Sequence, residues 1–426
     1  MNTDDLRNEV LSCGRRARAA ARSLAGISSE RKNGALLAMA DQLCASGGTI
    51  LKENREDVEK ATADQLSLAM IDRLRLDEKR IQTIADGIRQ VAALEDPVRK
   101  VIAEWTRPNG LHISKVRVPI GVIGIIYESR PNVTSDAAVL CTKTGNAVIL
   151  RGGSESIRSN IAIVEALRAG AVSAGLPEDS ILLISKTGRD AVRQMAEMDQ
   201  YIDLIVPRGG RALIETVVNY ARMPVIKHYL GLCIAYVDRE ADLDMAARIV
   251  VNAKTQRPGV CNAIETVLVH REIAAAFFKR IVPTLAEKKV EIRADAESFH
   301  QLSALGYQPL HSARDEDWTT EYLDLVLAAR TVEKLEDAIA HVEKCGSHHS
   351  DVIITRDAER AERFLNEVDS ATVYWNASTR FTDGGEFGFG AEIGISTDKL
   401  HARGPMALEE LTTYKYVIRG DGQIRE

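Results

Sequence analysis

The sequence has no strong net charge, no long apolar run and no paired cysteines. A charge of -6 over 426 residues gives no general attraction to nucleic acid or to an anionic membrane. No apolar stretch is long enough to cross a bilayer, and the acidic first residues lack the hydrophobic segment of a signal peptide. The six cysteines contain no CxxC pair, which argues against a zinc knuckle or a disulfide frame. We therefore expect a cytoplasmic protein that binds neither nucleic acid nor membrane.

Two further motifs are missing. The dinucleotide-binding fingerprint GxGxxG is absent, since residues 121–124 read GVIG and lack the third glycine. His348 and His349 are adjacent rather than at helical ligand spacing, and we expect both to be solvated. The sequence therefore predicts no metal site.

The first 118 residues change character near residue 100. Residues 1–100 show the periodicity of helices. Residues 101–105 and 111–118 are strand-like and flank the turn sequence RPNG. A hairpin of this kind is marginal when isolated, so we expect it to pair with something else, such as another subunit.

The remainder of the chain alternates strands with helices. Strand-like runs of a first series lie at residues 122–127, 147–150, 181–184, 204–206 and 234–237, and those of a second series at 266–269, 325–327, 352–354 and 372–375. Short apolar strands separated by helices are typical of parallel βαβ units. The pattern predicts two α/β lobes with a cleft between them.

Cys261 is the most informative residue of this pattern. Residues 255–263 read TQRPGVCNA, between a helix-like stretch and a strand-like run. A thiol on a Pro-Gly turn can face a cleft, and cysteine is the strongest neutral-pH nucleophile because part of it is thiolate. Spacing alone is equally consistent with a small buried residue; the turn and the nearby Arg257 favour a nucleophile. The other five cysteines are predicted to be packing residues, and Glu265 either faces the thiol or lies at a strand edge.

Paired glycines follow an arginine at two strand ends. The residues are Arg151, Gly152, Gly153 and Ser154 in the first segment, and Arg208, Gly209 and Gly210 in the second. Backbone amides at a helix N-terminus bind phosphate oxygens, and a neighbouring arginine adds charge. Either segment alone is explained as a tight βα loop, whereas the two together favour a nucleotide phosphate site.

Longer motifs add a resemblance to a known family. Residues 118–124 (VPIGVIG), residues 144–150 (TGNAVIL), the Cys261 turn and the glycine block 384–394 resemble the aldehyde dehydrogenase superfamily. Residues 127–134 (YESRPNVT), 255–262 and 380–388 (RFTDGGEFG) more specifically resemble the gamma-glutamyl phosphate reductases. The match extends from the helical start to residues 414–418.

The resemblance implies an activity. It is the reduction of L-glutamyl 5-phosphate by NADPH to glutamate 5-semialdehyde and phosphate, which is the second step of proline biosynthesis. Homo-oligomers are also implied, and a partnership with glutamate 5-kinase is plausible because acyl phosphates hydrolyse. Two alternatives stay open: another acyl-phosphate or aldehyde dehydrogenase, or a catalytically inactive member that serves as a binding or scaffold partner.

The resemblance also implies an α/β fold of two lobes with parallel sheets and a β-hairpin flap. The cofactor-binding domain would comprise residues 1–100 and 119–236, and the catalytic domain residues 237–407. Residues 101–118 and 408–426 would form the oligomerisation flap.

Site residues follow from the same resemblance. Cys261 would attack the acyl carbon to give a thioester, with its backbone amide and the Asn132 side chain as oxyanion donors. Arg151 and Ser154 would meet the 2′-phosphate of NADP in place of the superfamily's adenine-ribose segment, although Glu155 leaves NAD open. Glu321 would hold the nicotinamide ribose.

The substrate would be held by polar residues near the nucleophile. Arg257 would meet the leaving phosphate, and Asn376, Ser378 and Arg380 the amino-acid end; pairing of either arginine with a structural carboxylate is the alternative. Hydrolytic members of the superfamily carry a water-activating glutamate where residues 227–233 have no carboxylate. The family's histidine after Cys233 is replaced by Ile234, so its role is dispensable or supplied elsewhere.

Overall fold

The computed structural model describes residues 3–227 and 229–425. The prediction that the first residues contain no signal peptide falls partly outside these residues. Residue 228, which belongs to the segment without a carboxylate, also lies outside them. The helices are α1 (Thr3–Leu24), α2 (Ser29–Ala45), α3 (Gly47–Ala63), α4 (Leu68–Leu74), α5 (Glu78–Ala93), α6 (Pro131–Lys143), α7 (Ile157–Ser173), α8 (Arg189–Ala196), α9 (Arg211–Tyr220), α10 (Leu243–Thr255), α11 (Arg271–Glu287), α12 (Ala296–Ala304), α13 (Leu335–Cys345) and α14 (Ala358–Glu367).

The strands occupy the second half of the chain more densely than the first. They are β1 (Val101–Thr106), β2 (His112–Pro119), β3 (Val122–Tyr127), β4 (Ala147–Arg151), β5 (Ile181–Leu183), β6 (Leu204–Arg208), β7 (Cys233–Val237), β8 (Ile264–His270), β9 (Glu291–Ala294), β10 (Leu310–Ser312), β11 (Val326–Val332), β12 (Ser350–Ile354), β13 (Thr372–Trp375), β14 (Gly394–Ser396), β15 (Gly404–Met406) and β16 (Thr412–Arg419). β14 and β15 form a small sheet of their own.

The described chain divides into two compact units. Unit 1 contains the residues up to Lys227 with 388–394 and 405–425, and unit 2 contains residues 229–387 and 395–404. Each unit has its own parallel sheet, which confirms the predicted α/β class with two lobes.

Unit 1 is built on a four-stranded parallel sheet in the order β5-β4-β3-β6. Every residue of β3 and β4 is buried, as expected for parallel strands covered on both faces. Asp77 caps α5 by accepting a hydrogen bond from the backbone of Arg80.

The predicted hairpin is confirmed and has a third strand. β1 and β2 pair antiparallel, with Trp105 opposite Ile113. β16 pairs antiparallel with the other edge of β2, with Tyr414 opposite Arg117. All six residues of β1 are exposed.

Unit 2 contains a seven-stranded parallel sheet in the order β10-β9-β11-β8-β7-β12-β13. The prediction that residues 234–237 end the first series of strands is wrong, because β7 pairs with β8 and β12 in this sheet. A boundary at residue 237 therefore falls inside unit 2. A buried apolar strand carries no mark of the parallel sheet to which it belongs.

No single described helix is long and apolar enough to cross a membrane. α2 and α3 meet the length and composition requirement only when taken together, across a bend of 64°.

Candidate active site

Cys261 lies on the turn between α10 and β8. α10 begins after Asp242, whose carboxylate accepts hydrogen bonds from the backbone of Asp244 and Met245, and it ends at Thr255. Pro258 and Gly259 follow in the turn. Cys261 is a free thiol and is partly exposed. The predicted helix–turn–strand setting of this cysteine is confirmed.

The backbone of Gly231 packs against this turn. A β-carbon on residue 231 would lie 2.2 Å from the carbonyl oxygen of Cys261 and 2.4 Å from its β-carbon. Real β-carbons do not approach other atoms so closely. Only glycine therefore fits beside Cys261.

The buried thiol of Cys233 contacts the backbone of the turn that carries Cys261. The Cys233 thiol donates to the carbonyl oxygen of Cys261 (3.2 Å), and its sulfur lies 3.7 Å from Nδ1 of His349. Burial raises the pKa of Cys233 well above its usual range, so the thiol stays protonated and can donate. The prediction that His349 is solvated is wrong, since this side chain is fully buried. Cys233 is buried as predicted, and it also orders the backbone of the turn that carries Cys261.

Two arginines bring positive charge to the same turn. Arg380 donates from Nε to Oε1 of Gln256 (2.9 Å), and its Nη1 bonds Oδ1 of Asn262. Burial and the nearby Arg257 guanidinium lower the pKa of Arg380. Arg257 is exposed and makes no side-chain hydrogen bond or ion pair to residues 3–227 or 229–425. Arg257 is therefore available to an anion, whereas Arg380 already uses Nε and Nη1 within the loop.

The other two predicted substrate residues are engaged within unit 2. The Asn376 amide donates to the backbone oxygen of Thr355 (2.8 Å) and accepts from its nitrogen (2.9 Å). The Ser378 hydroxyl is buried and accepts from the backbone of Arg380 (3.3 Å). Both side chains order the loop after β13, next to Arg380.

Glu321 also lies at this site. Its Oε1 accepts a hydrogen bond of 2.8 Å from the backbone nitrogen of Gly231, the glycine that packs on Cys261. Burial raises the pKa of Glu321. The structure thus brings Cys261, Arg257, Arg380 and Glu321 together in unit 2.

In unit 1, the first arginine-glycine segment follows β4. The Arg151 guanidinium is buried and bonds the backbone oxygens of Thr187 and Gly188. A β-carbon on Gly152 would lie 2.1 Å from Nδ2 of Asn160, so the backbone is tightly packed there. Ser154 is exposed at the start of a short 3-10 helix (Ser154–Ser156).

Carboxylates lie against both arginine-glycine segments. Glu155 folds over Gly153 and accepts from the backbone nitrogen (2.5 Å) and hydroxyl (2.8 Å) of Ser129. Oε2 of Glu128 accepts from the backbone nitrogen of Gly210 (3.0 Å), which caps α9. A phosphate at the N-terminus of α9 would have to displace this carboxylate.

The neighbouring Gly209 has the same close contact. A β-carbon on Gly209 would lie 2.4 Å from Oε2 of Glu128 and 2.6 Å from Cδ2 of Leu213, so a larger residue here would have to displace the ends of these side chains. Gly209 and Gly210 therefore leave room for the carboxylate of Glu128, and the sequence did not indicate this role.

Asn132 is the remaining predicted site residue of unit 1. It is exposed in the first turn of α6 and donates from Nδ2 to Oδ2 of Asp136 (3.0 Å). Burial raises the pKa of Asp136 to about 6. Among residues 3–227 and 229–425, no three His, Cys, Asp or Glu side chains are grouped to hold a metal ion.

Comparison with known proteins gives a consistent family. A sequence model of the aldehyde dehydrogenase family matches residues 6–328. A Moorella thermoacetica protein named gamma-glutamyl phosphate reductase is 55% identical over 418 residues, covering 98% of this chain and 99% of its own.

Solved structures resemble the chain along nearly its whole length. The crystal structure of gamma-glutamyl phosphate reductase from Thermotoga maritima matches with a TM-score of 0.95 and 45% identity, covering 98% of this chain and 100% of that one. An engineered glycolyl-CoA reductase with bound NADP+ matches with a TM-score of 0.69 and 16% identity, covering 96% of each chain. The latter likeness shows the fold alone.

Proposed function

Because this chain belongs to the aldehyde dehydrogenase family, and within it to the gamma-glutamyl phosphate reductases, we propose that it reduces L-glutamyl 5-phosphate to glutamate 5-semialdehyde. Phosphate is the second product, and the reaction is a step of proline biosynthesis. The observation that carries the proposal is the partly exposed Cys261 thiol on a turn beside Arg257 and Arg380.

Cys261 would act as the nucleophile. Its thiolate attacks the acyl carbon, a C–S bond forms, and the bond from that carbon to the phosphate oxygen breaks. NADPH, when bound, supplies the hydride that converts the resulting thioester to a thiohemiacetal. Hydride addition leaves the thiohemiacetal oxygen as an oxyanion, whose collapse breaks the C–S bond, releases the aldehyde and regenerates the thiolate.

The developing oxyanion needs hydrogen-bond donors. The backbone N–H of Cys261 has no acceptor in the described chain, so it is available to the substrate oxygen. The Asn132 amide is the second proposed donor, and its contact with Asp136 fixes its orientation. Each donor is worth about 3 kcal/mol in systems of this type.

A thioester must survive until it is reduced, so water must not be activated beside it. Two carboxylates beside the turn are both engaged: Glu321 accepts from Gly231, and Glu265 forms an ion pair with Lys254. Their engagement supports a reductase rather than a hydrolytic dehydrogenase.

The substrate's two charged ends call for two cationic sites. We assign the leaving phosphate to Arg257, whose guanidinium is exposed and has no partner in the described chain. Arg380 and the loop ordered by Asn376 and Ser378 are assigned to the amino-acid end.

NADPH is the proposed cofactor. Ser154 is exposed and suits a 2′-phosphate, while the carboxylate of Glu155, which would favour NAD, is held by Ser129. The Arg151 guanidinium, which we predicted to meet the 2′-phosphate, is buried against the backbone oxygens of Thr187 and Gly188, so we assign Arg151 with Gly152 and Gly153 to shaping the segment beneath the ribose. Glu128 occupies the amide of Gly210, so phosphate contacts at Gly209 and Gly210 require its movement. The ratio of kcat/KM for NADPH and NADH tests the preference.

We also propose a cytoplasmic homo-oligomer. Its contact surface would be the sheet of β1, β2 and β16, which exposes Trp105, Tyr414, Tyr416 and Ile418. Association with glutamate 5-kinase remains a proposal that rests on the instability of acyl phosphates.

The reverse reaction tests the activity. The semialdehyde cyclises to a pyrroline carboxylate, so this imine, phosphate and NADP should give NADPH absorbance only when phosphate is present. An enzyme with a different acyl substrate would not respond to the pyrroline carboxylate. An inactive scaffold protein would form no NADPH from the pyrroline carboxylate or from another aldehyde, and it would consume no NADPH with the acyl phosphate.

A further inference from the structure

A buried ion pair brackets the turn that carries Cys261. Nζ of Lys254 lies 2.6 Å from Oε2 of Glu265, and both side chains are 0% exposed. Lys254 is near the end of α10 and Glu265 near the start of β8, so the pair joins the two ends of the turn. Burial raises the pKa of Glu265 to about 7 and lowers that of Lys254.

Stability alone is a poor explanation for this pair. Taking two charges out of water costs as much as their attraction returns, and apolar residues of similar volume are often at least as stable. The proposed chemistry uses neither residue. The contacts of the pair therefore need another explanation.

Both partners reach beyond the pair. Oε1 of Glu265 accepts a hydrogen bond of 3.2 Å from the backbone nitrogen of Leu323, and Lys254 also donates to the carbonyl oxygen of Ile264 (3.1 Å). Leu323 has a φ of +55°, in the left-handed region that is uncommon for a residue other than glycine. Nζ of Lys254 lies 6.0 Å from the centre of the Tyr322 ring. The pair thus holds the segment that contains Glu321.

That segment returns to the nucleophile. Glu321 accepts from the backbone nitrogen of Gly231, and Gly231 packs directly on Cys261. The contacts form a closed path from the Lys254–Glu265 pair through Leu323, Glu321 and Gly231 to Cys261. Asp324 and Cys233 are the other ionisable groups near Lys254.

We propose that Lys254 and Glu265 are positioning residues that fix the Cys261 turn relative to the segment containing Glu321. Neither touches the substrate. The inference rests on the proposed role of Cys261 as the nucleophile, but its test includes readouts that need no substrate.

The variant Glu265→Gln tests the geometry with little change of volume. Glutamate accepts from Lys254 with one oxygen and from Leu323 with the other, whereas glutamine has one oxygen and turns its NH2 toward a donor. We expect kcat to fall by about 10-fold to 100-fold, with KM changed much less. The alkylation rate of Cys261 by iodoacetamide, read by peptide mass spectrometry, should shift with kcat.

Lys254→Met in the same chain should rescue the defect. Methionine has no hydrogen-bond donor, so the NH2 group of the introduced glutamine can lie against the methionine side chain. The side-chain oxygen of this glutamine can then accept from the backbone nitrogen of Leu323. We expect the double variant to recover kcat and the alkylation rate to within about 3-fold of wild type, because the Leu323 contact is restored. Glu197→Gln, in the exposed pair with Arg193, is the matched control and should change nothing.

The outcomes separate the possibilities. Loss in Glu265→Gln with rescue in the double variant supports positioning. Wild-type kcat and alkylation in a folded Glu265→Gln protein, or a loss that Lys254→Met does not rescue, overturns it. If Glu265→Gln does not fold, the double variant is measured instead. The proposal requires slow hydrogen exchange at the Leu323 amide together with an alkylation rate of Cys261 close to that of wild type. Fast exchange at this amide with an unchanged alkylation rate overturns the proposal. A wrong substrate assignment would leave the alkylation and exchange results intact.

Discussion

Gly231 lies in direct contact with Cys261, so that a β-carbon on residue 231 would be only 2.3 Å from the α-carbon of the cysteine. Gly231→Ala must therefore move the Cys261 turn. We expect kcat to fall by about 100-fold or more, because displacements near 1 Å have effects of this size. Steady-state kinetics and a thermal melt measure the result.

A suitable control for this substitution lies in α2. Apart from its chain neighbours and the backbone of α2, no atom of the described residues lies within 4 Å of a β-carbon added to Gly34, and alanine is favoured inside a helix. Gly34→Ala should keep full activity. Wild-type kcat in Gly231→Ala would contradict the packing described for Cys261.

Arg257 is expected to act on substrate binding. Arg257→Ala removes an exposed guanidinium without breaking any described contact, so the fold should be unaffected. A lost hydrogen bond to a charged group corresponds to roughly 10-fold to 100-fold in KM for the acyl phosphate. Inhibition by added phosphate should weaken in parallel.

Arg248, an exposed arginine on α10, is the matched control for Arg257. Arg248→Ala should leave KM and phosphate inhibition unchanged. If the two variants behave alike, the assignment of the leaving phosphate to Arg257 is wrong.

Asp351 should make stability depend on pH. Burial raises the pKa of its carboxyl from 3.8 to about 7, although Ser370 and the backbone of Ile234 donate to it. Between these values the folded protein keeps the proton and the unfolded chain releases it, so the contribution of Asp351 is full below pH 3.8 and is lost as pH rises toward 7. The asparagine of Asp351→Asn cannot ionise, so the stability of this variant does not fall with pH for this reason.

The measurement is denaturant unfolding of both proteins at pH 5 and pH 8. The free energy of unfolding of Asp351→Asn should improve relative to wild type by up to about 3 kcal/mol between these values. Asp199→Asn, at an exposed position, should show no such change. A relative stability that is constant with pH would show that the Asp351 carboxyl is ionised throughout.

The exposed apolar sheet is expected to mediate self-association. Ile418 on β16 is 58% exposed, and an aspartate there would place a charge in the contact. Ile418→Asp, or deletion of the β1–β2 hairpin, should lower the mass seen by light scattering after size exclusion. Leu305→Asp, at an exposed leucine after α12, is the control; an unchanged mass in Ile418→Asp would place the contact elsewhere.

Local pattern was enough to predict many elements of the fold. β3 has the predicted bounds, because a continuous apolar run that follows Gly121 marks it clearly. β9 and β10 were not predicted, since they have only four and three residues and contain Arg293 and His311. β7 was assigned to the wrong sheet because strand order depends on contacts distant in sequence.

In the site, too, local motifs could be predicted from the sequence, whereas contacts between distant residues could not. Cys261 and Arg257 could be found from one contiguous motif on a turn. The contact between Cys233 and His349 joins residues 116 positions apart, and that between Glu128 and Gly210 joins residues 82 apart. No local pattern encodes such pairs. Lys254 and Glu265 are close in sequence, yet only the meeting of α10 with β8 makes them partners.

The central claim is that Cys261 carries the acyl group before reduction. The direct measurement is peptide mass spectrometry of enzyme quenched with acid after mixing with L-glutamyl 5-phosphate, made in situ, in the absence of NADPH. The account predicts a glutamyl adduct on the peptide that contains Cys261, and neither adduct nor turnover in Cys261→Ser. Turnover by Cys261→Ser, or phosphate release by the wild-type protein with no adduct on this peptide, would contradict it.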